Sequence, residues 1–320
     1  MKKKIKIGVV GVGYLGEFHA LKYTELPQAE LIGVVDTDKD RADTIAAKCN
    51  TGAYYDHSEL FNCVDAVSIA VPTKCHYVVA MDFLSRGIDV LLEKPVTETL
   101  EQVDELIEVA EKKGAVLQVG HLERFNAAVV ALEGAIDRPI FIESHRLAPF
   151  KERSTDIDVI LDLMIHDIDV ILSLVGSEVE RVESVGVPVI SGRVDIANAR
   201  IRFKNGCIAD VTASRISQKE MRKIRVFQPN AYISIDYAHQ KIAISKRIKE
   251  EGMDKPEISI EEIAIVKRDT LKAEMNAFIQ SVILRETPVV TGHDGRRALK
   301  VALNIQKGTS EWQEIAKSYL

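Results

Sequence analysis

Ile5-Lys6-Ile7-Gly8-Val9-Val10-Gly11-Val12-Gly13-Tyr14-Leu15-Gly16 runs a short apolar strand straight into a glycine pattern of the form G-x-G-x-x-G. A strand, a tight turn and a helix reaching about Glu25 is the context in which that pattern serves a dinucleotide. Gly11 permits the turn, Gly13 lets backbone approach a pyrophosphate, and Gly16 lets helix and strand pack closely. The phosphates would rest on the helix N-terminus. Alone, the glycines say no more than a tight strand-to-helix connection. The next strand, Leu31 to Val35, ends at Asp36, twenty residues after Gly16. A carboxylate there can accept both hydroxyls of an adenosine ribose. Asp38 adds negative charge and no arginine follows at once, so a 2′-phosphate would be repelled and NAD is favoured over NADP. The competing use of these acids is helix capping, which is assigned to Asp38 for a helix over Lys39 to Cys49.

The alternation continues outward. Strands are expected at Ala53 to Tyr55, Val64 to Val71, Ile88 to Leu92 and Ala115 to Val119. Between them come a short helix near Ser58 and helices over Cys75 to Arg86 and Glu98 to Lys113. Near-continuous apolar strands separated by helices imply a parallel sheet covered on both faces. Residues 1–120 therefore read as an α/β Rossmann domain, a doubly wound parallel sheet. Glu93-Lys94-Pro95 falls just past a strand's carboxyl end, the edge where such sheets bind ligands. Lys94 there could stabilise oxyanion character as hydride leaves a hydroxyl-bearing carbon; in isolation it would read as a surface lysine.

Residues 121–320 read as an α+β domain with an open, mainly antiparallel sheet. Its strands are expected near Pro139 to Ala148, Arg181 to Val189, Asp195 to Phe203, Cys207 to Ser214, Lys223 to Phe227, Ala231 to Asp236 and Lys241 to Ser245. Asn126 can cap a short helix from Ala127 to about Ile136. Lys246 to Lys255 reads as a charged loop, and helices over Thr270 to Arg285 and Asp294 to Lys307 close the chain.

One helix of this domain stands out. Asp156 to Gly176 is mostly Ile, Leu and Val, with a cap at its start and a glycine at its end. Asp158, Asp162, His166 and Asp169 fall on one narrow stripe at about 100° per residue, whereas Asp167 lies off it, toward solvent. Buried carboxylates need partners. The stripe is either a structural polar network or a site in which Asp162, one turn before His166, orients the imidazole as a general base.

Composition bounds the alternatives. The chain has 320 residues, 46% hydrophobic and 28% charged, with a formal net charge of −6. That balance argues against nucleic-acid binding. Met1-Lys2-Lys3-Lys4 resembles the start of a signal peptide, but Lys6 breaks the apolar run behind it, and no charge-free stretch reaches the roughly 18 residues that span a bilayer. Cys49, Cys63, Cys75 and Cys207 show neither zinc nor disulfide spacing, so no metal is expected and a reducing cytoplasm is.

The Gly11 to Gly16 fingerprint, Glu93-Lys94-Pro95 and the Asp162, His166 spacing together resemble the glucose-fructose oxidoreductase/inositol dehydrogenase/MocA family, over the whole length. The resemblance implies that Lys94, Asp162 and His166 are the catalytic set. It also implies cofactor contacts at Gly11, Gly13, Tyr14, Leu15 and Asp36, then at Pro72, Thr73, His76, Glu93 and Lys94. Many members carry a glycine-rich run where this chain has Asp158-Val159-Ile160-Leu161, so the substrate-side wall should differ from that of the inositol and glucose enzymes. Gly120-His121-Leu122-Glu123-Arg124-Phe125-Asn126 and Asp162 to Asp167 look like the branch that oxidises UDP-N-acetylglucosamine at C3. Arg124, Arg146, Lys151, Arg153 and Arg215 are the cations that could meet a diphosphate, Arg124 and Arg153 first. A dehydrogenase of inositol or a free sugar is the second reading, and an NAD-binding regulator without activity the third. The family likeness further implies a homodimer or homotetramer formed through the outer face of the second sheet.

Overall fold

The computed structural model describes residues 4–132, 134–150, 157–229, 231–248 and 257–317. The chain opens with β1 (Ile5–Val10), α1 (Tyr14–Thr24), β2 (Ala29–Val35), α2 (Lys39–Cys49), β3 (Gly52–Tyr54) and a 3-10 turn at His57–Leu60. It continues with β4 (Ala66–Ile69), α3 (Thr73–Leu84), β5 (Asp89–Glu93), α4 (Leu100–Lys113) and β6 (Leu117–Gly120). A 3-10 turn at Leu122–Phe125, α5 (Ala127–Val130) and β7 (Phe141–Leu147) follow, then a π turn at Ile160–Met164 running into α6 (Ile165–Val175). The strands β8 (Val179–Val187), β9 (Ile196–Phe203), β10 (Ile208–Ser214), β11 (Met221–Gln228), β12 (Ala231–Asp236), β13 (Lys241–Ile248) and β14 (Glu257–Ile263) precede α7 (Thr270–Leu284) and α8 (Gly292–Lys317).

The first unit is the chain through Leu122 together with Asp269–Arg296. Its six strands lie in the order β3-β2-β1-β4-β5-β6, all parallel. That is the doubly wound arrangement, reversing direction between β1 and β4, where a dinucleotide sits. Every residue of β4 and β5 is buried, as expected for strands covered on both faces. Local signals set the helix ends. Thr99 and Gln102 cap α4 reciprocally, and Gly114, at φ 63°, stops it in the left-handed conformation. Asp38 caps α2 by accepting from the Arg41 amide.

The first unit draws Asp269–Arg296, and with it α7, from far along the chain. Met275, Phe278, Ile279 and Val282 of α7 are buried in one cluster with Ala20, Tyr23 and Leu26 of the α1 region. Their apolar stripe predicts a buried helix without saying what covers it, and α1 does.

The second unit is Glu123–Arg268 with the chain from Arg297 onward. Its eight-stranded sheet runs β14-β13-β12-β11-β7-β10-β9-β8, antiparallel except for β7 beside β10. Along β9, Ala197, Ala199, Ile201 and Phe203 face inward while Asn198, Arg200 and Arg202 face out. The inward face packs with Ile165, Ile168 and Ile171 of α6 and Ala298, Ala302 and Ile305 of α8 in one core.

Five details differ from expectation. The helix after Ala127 ends at Val130, and the last helix runs to Lys317 rather than Lys307. The sheet gains β14, and β13 takes in Lys246 to Ile248, three residues expected in a loop. Residues 249–256 of that loop lie outside the described residues, as do Asp156, Lys151 and Arg153. The central helix starts on a π turn rather than a regular α turn, and Asp158 takes the capping role by accepting from the Ile160 and Leu161 amides, both at 3.0 Å.

Candidate active site

The glycine turn is built as its residues require. Gly11 sits at φ +83°, and a Cβ there would meet the Val71 amide nitrogen at 2.8 Å. A side chain on Gly16 would drive into the Gly11 carbonyl oxygen. Gly13, at the N-terminus of α1, has open space where a Cβ would be, leaving its backbone accessible. A cavity of about 570 Å³ opens here, lined by Gly11, Gly13, Asp36, Arg41, Tyr55 and Pro72 among others. The open glycine backbone, helix N-terminus and carboxylate-bearing cavity fit an adenine dinucleotide.

Asp36 is held by two backbone amides, Val12 N–H donating to Oδ2 and Asp38 N–H to Oδ1, both at 3.0 Å. Its carboxylate keeps lone pairs for ribose hydroxyls. An arginine does reach it from one helical turn beyond: Arg41 Nη1 lies 3.4 Å from Asp36 and Nη2 3.0 Å from Asp38. That cation is shared between two carboxylates, so the local charge stays negative.

Tyr14 and Leu15 are exposed on the first turn of α1, Tyr14 stacking edge-on with Phe18. Thr73 opens α3 immediately after Pro72. Two expected cofactor contacts turn inward instead. His76 is buried, with Nδ1 2.8 Å from the Pro95 carbonyl and Nε2 2.9 Å from that of Val71. Burial holds the His76 pKa below its usual value, against the pull of those carbonyls. The Glu93 side chain is also buried, its Oε1 3.2 Å from His19 Nε2 and its Oε2 accepting from the Lys94 amide at 3.2 Å. Adjacent residues leaving a strand point opposite ways, so Glu93 faces the protein while half-buried Lys94 does not follow it. The Lys94–Pro95 peptide is cis. His19 reads from the sequence, with His76, His121 and His145, as an imidazole near the cleft that is more often structural, and it lies inside, on the buried stripe Gly16, His19, Ala20 and Tyr23 of α1.

In the second unit the acidic stripe divides. Asp158 caps the π turn and accepts from Gln306 Nε2 of α8 at 2.5 Å. Asp169 lies 3.5 Å from Arg124. Asp167, expected toward solvent, is buried instead, because Arg146 of β7 meets it with Nε at 2.7 Å and Nη2 at 3.1 Å. Arg146 also donates to Glu123 at 3.1 Å, and Glu123 accepts from Asn126 at 3.1 Å. Burial pushes the Asp167 carboxyl up against the downward pull of Arg146. Arg215 is likewise taken, by buried Asp195 at 2.9 Å. Arg146 and Arg215 are thus withdrawn from the diphosphate candidates. Asp162 and His166 remain half-buried, on either side of the π turn's end. Among the described residues no cluster of three or more His, Cys, Asp or Glu could hold a metal ion, and no helix is long and apolar enough to cross a membrane.

Residues 5–121 match the model of an oxidoreductase family with an NAD-binding Rossmann fold, and 128–234 match the GFO/IDH/MocA C-terminal domain. The chain is 38% identical over 303 residues to UDP-N-acetylglucosamine 3-dehydrogenase of Acidithiobacillus ferrooxidans, covering 94% of this chain and 96% of that one. It belongs to the Gfo/Idh/MocA oxidoreductase family. The solved structure of the Acidithiobacillus enzyme superposes with a TM-score of 0.89 at 37% identity, over 95% of this chain and 97% of that one. Myo-inositol 2-dehydrogenase of Thermotoga maritima is 27% identical over 330 residues, 97% of this chain and 98% of the relative. The matched family carries an NAD-binding Rossmann fold, and the residues lining the cavity over Gly13 and Asp36 fall within the matched stretch. The two segments that suggested a branch within the family prove to be linked, Glu123 meeting Asp167 through Arg146, and Arg124 reaches Asp169 just beyond the second segment.

Proposed function

We propose that this oxidoreductase removes hydride from a secondary hydroxyl-bearing carbon of a sugar ring, with C3 of UDP-N-acetylglucosamine as its substrate position. The likeness to the Acidithiobacillus enzyme, at 38% identity over nearly the full length, carries the substrate reading. NAD, when bound, supplies the hydride acceptor. His166 removes the hydroxyl proton, Asp162 one turn earlier orients the imidazole, and Lys94 steadies the oxygen as it gains negative charge. What supports these roles is that Asp162 and His166 stand four residues apart on the same helical segment and are both half-buried rather than sealed in the core. Arg124, half-buried and itself 3.5 Å from Asp169, stays the first candidate to meet the diphosphate.

Turnover of UDP-N-acetylglucosamine, myo-inositol and glucose, each with NAD, tests the substrate. NADH and a 3-keto sugar from the first alone are expected; turnover of myo-inositol instead would assign the chain to the inositol reading, which the Thermotoga relative favours. No turnover of any, with NAD still bound, would favour a regulator.

The four cysteines are unpaired, which fits a cytoplasmic protein. The outer face of the second sheet carries Phe141 stacked on Phe227 at 5.6 Å and Tyr232 at 4.9 Å from Phe227, with Ile258 and Ile260 exposed on β14. This face supports a homodimer or homotetramer, and light scattering in solution would give its size.

A further inference from the structure

Lys94 is flanked by two residues that are each gripped by a histidine. On one side, Glu93 Oε1 lies 3.2 Å from Nε2 of His19, and His19 Nδ1 lies 2.7 Å from the Ser68 hydroxyl. That hydroxyl can donate to Nδ1, which leaves the Nε2 hydrogen on the Glu93 side, in a close contact that falls short of hydrogen-bond alignment. On the other side, the Pro95 carbonyl lies 2.8 Å from Nδ1 of His76. His19 and His76 are both essentially without solvent exposure. They stand on α1 and α3, the helices that follow Gly13 and Pro72 at the wall of the cofactor cavity. The same turn is thus tied to both helices that frame the NAD seat.

Two further observations bear on the space around Glu93. A Cβ on Gly120 would lie 2.9 Å from Glu93 Oε1, so glycine there lets the carboxylate sit where it does without a shift. Glu274 of α7 is wholly buried nearby, and neither of its carboxyl oxygens has a hydrogen-bond partner among the described residues. Burial, and then the charge of Glu93, push Glu274 well above the usual carboxylate range. Glu93 itself is held low: burial raises it, but His19, with Lys94 beside it, outweighs that. The protonated form is thus favoured at Glu274 and the charged form at Glu93, which faces His19.

We propose that His19 and His76 are positioning residues for Lys94, fixing the Glu93–Pro95 turn from α1 and α3 so that the ammonium is aimed while the cofactor seat is formed. This rests on the reading of Lys94 as the group that meets the substrate oxygen. A misplacement of about 1 Å in such a group costs on the order of 10²-fold in rate. Neither histidine touches substrate.

The test compares kcat, KM and the Kd for NAD of His19→Leu, His19→Gln, His76→Leu and His76→Asn, each with and without Lys94→Ala, on whichever of the three sugars is turned over. Glutamine can place its amide where Nε2 stood, and asparagine can do so for Nδ1. The expected result is that each leucine variant lowers kcat about 10- to 100-fold, with the Kd for NAD unchanged. The amide variants should recover most of that loss, and the leucine changes should cost nothing further once Lys94 is alanine. Equal losses with and without Lys94, or no loss in kcat, would overturn the positioning role while leaving the Lys94 reading intact. Full activity of Lys94→Ala alone would overturn both. If a leucine variant fails to fold, the amide variant of the same histidine carries the cycle, and a loss that ignores the state of residue 94 counts against the proposal.

Discussion

Arg146 and Asp167 meet through two parallel contacts, Nε to Oδ2 at 2.7 Å and Nη2 to Oδ1 at 3.1 Å, with both side chains shut off from solvent. Glu123 takes a third arm of the same guanidinium at 3.1 Å. Removing the cation strands two buried carboxyls, whereas removing all three charges leaves none. Arg146→Met should cost about 3–5 kcal/mol of stability in denaturant unfolding. Adding Asp167→Leu and Glu123→Leu should return much of it. Failure of the triple variant to recover would mean that the network's geometry, not its charge balance, holds α6 in place.

Glu274 gives a stability signal that depends on pH. Its folded pKa lies above its unfolded one, through burial first and Glu93 second, so the native state binds more protons once pH exceeds the ordinary carboxylate value. Its contribution is full below that value and is lost as pH rises toward the raised one. Glu274→Gln should remove this slope, up to about 1.4 kcal/mol per pH unit, and be the more stable protein at neutral pH. Denaturant midpoints across the weakly acidic to weakly basic range check it. A parallel slope in the variant would show that Glu274 is ionised in the folded chain.

Asp36 tests the cofactor reading. Replacing it with alanine removes a charged acceptor for two hydroxyls, with hydrogen bonds to a charged group worth about 1.5–3 kcal/mol. The Kd for NAD should rise about 10- to 100-fold, and NADP, relieved of repulsion and met by a freed Arg41, should bind better than before. An unchanged Kd would mean that Asp36 serves only the Val12 and Asp38 amides it already accepts from.

The first unit was readable because its signals are local. Strand, glycine turn and helix lie within Ile5 to Gly16, and Asp38, Thr99 and Gly114 announce helix ends within a few residues. What escaped is set by distant partners. Asp167 looks solvent-bound on a helical wheel until Arg146, on a strand well before it in the chain, is folded against it. The stripe of α7 shows that the helix is buried, yet nothing in it names α1 as the cover. The inward turn of Glu93 is local instead: the alternation of strand residues sets it opposite Lys94. The π turn at Ile160–Met164 carries no composition signal of its own, so the sequence alone reads the stretch from Asp158 to His166 as regular α helix.

The central claim is that His166 takes the substrate proton, and a single-turnover measurement on His166→Asn saturated with NAD addresses it directly. The rate of NADH appearance with UDP-N-acetylglucosamine should fall about 10²- to 10⁴-fold, with the Kd for NAD unchanged. NADH formed at the wild-type rate would contradict the assignment and leave the acidic helix a structural element alone.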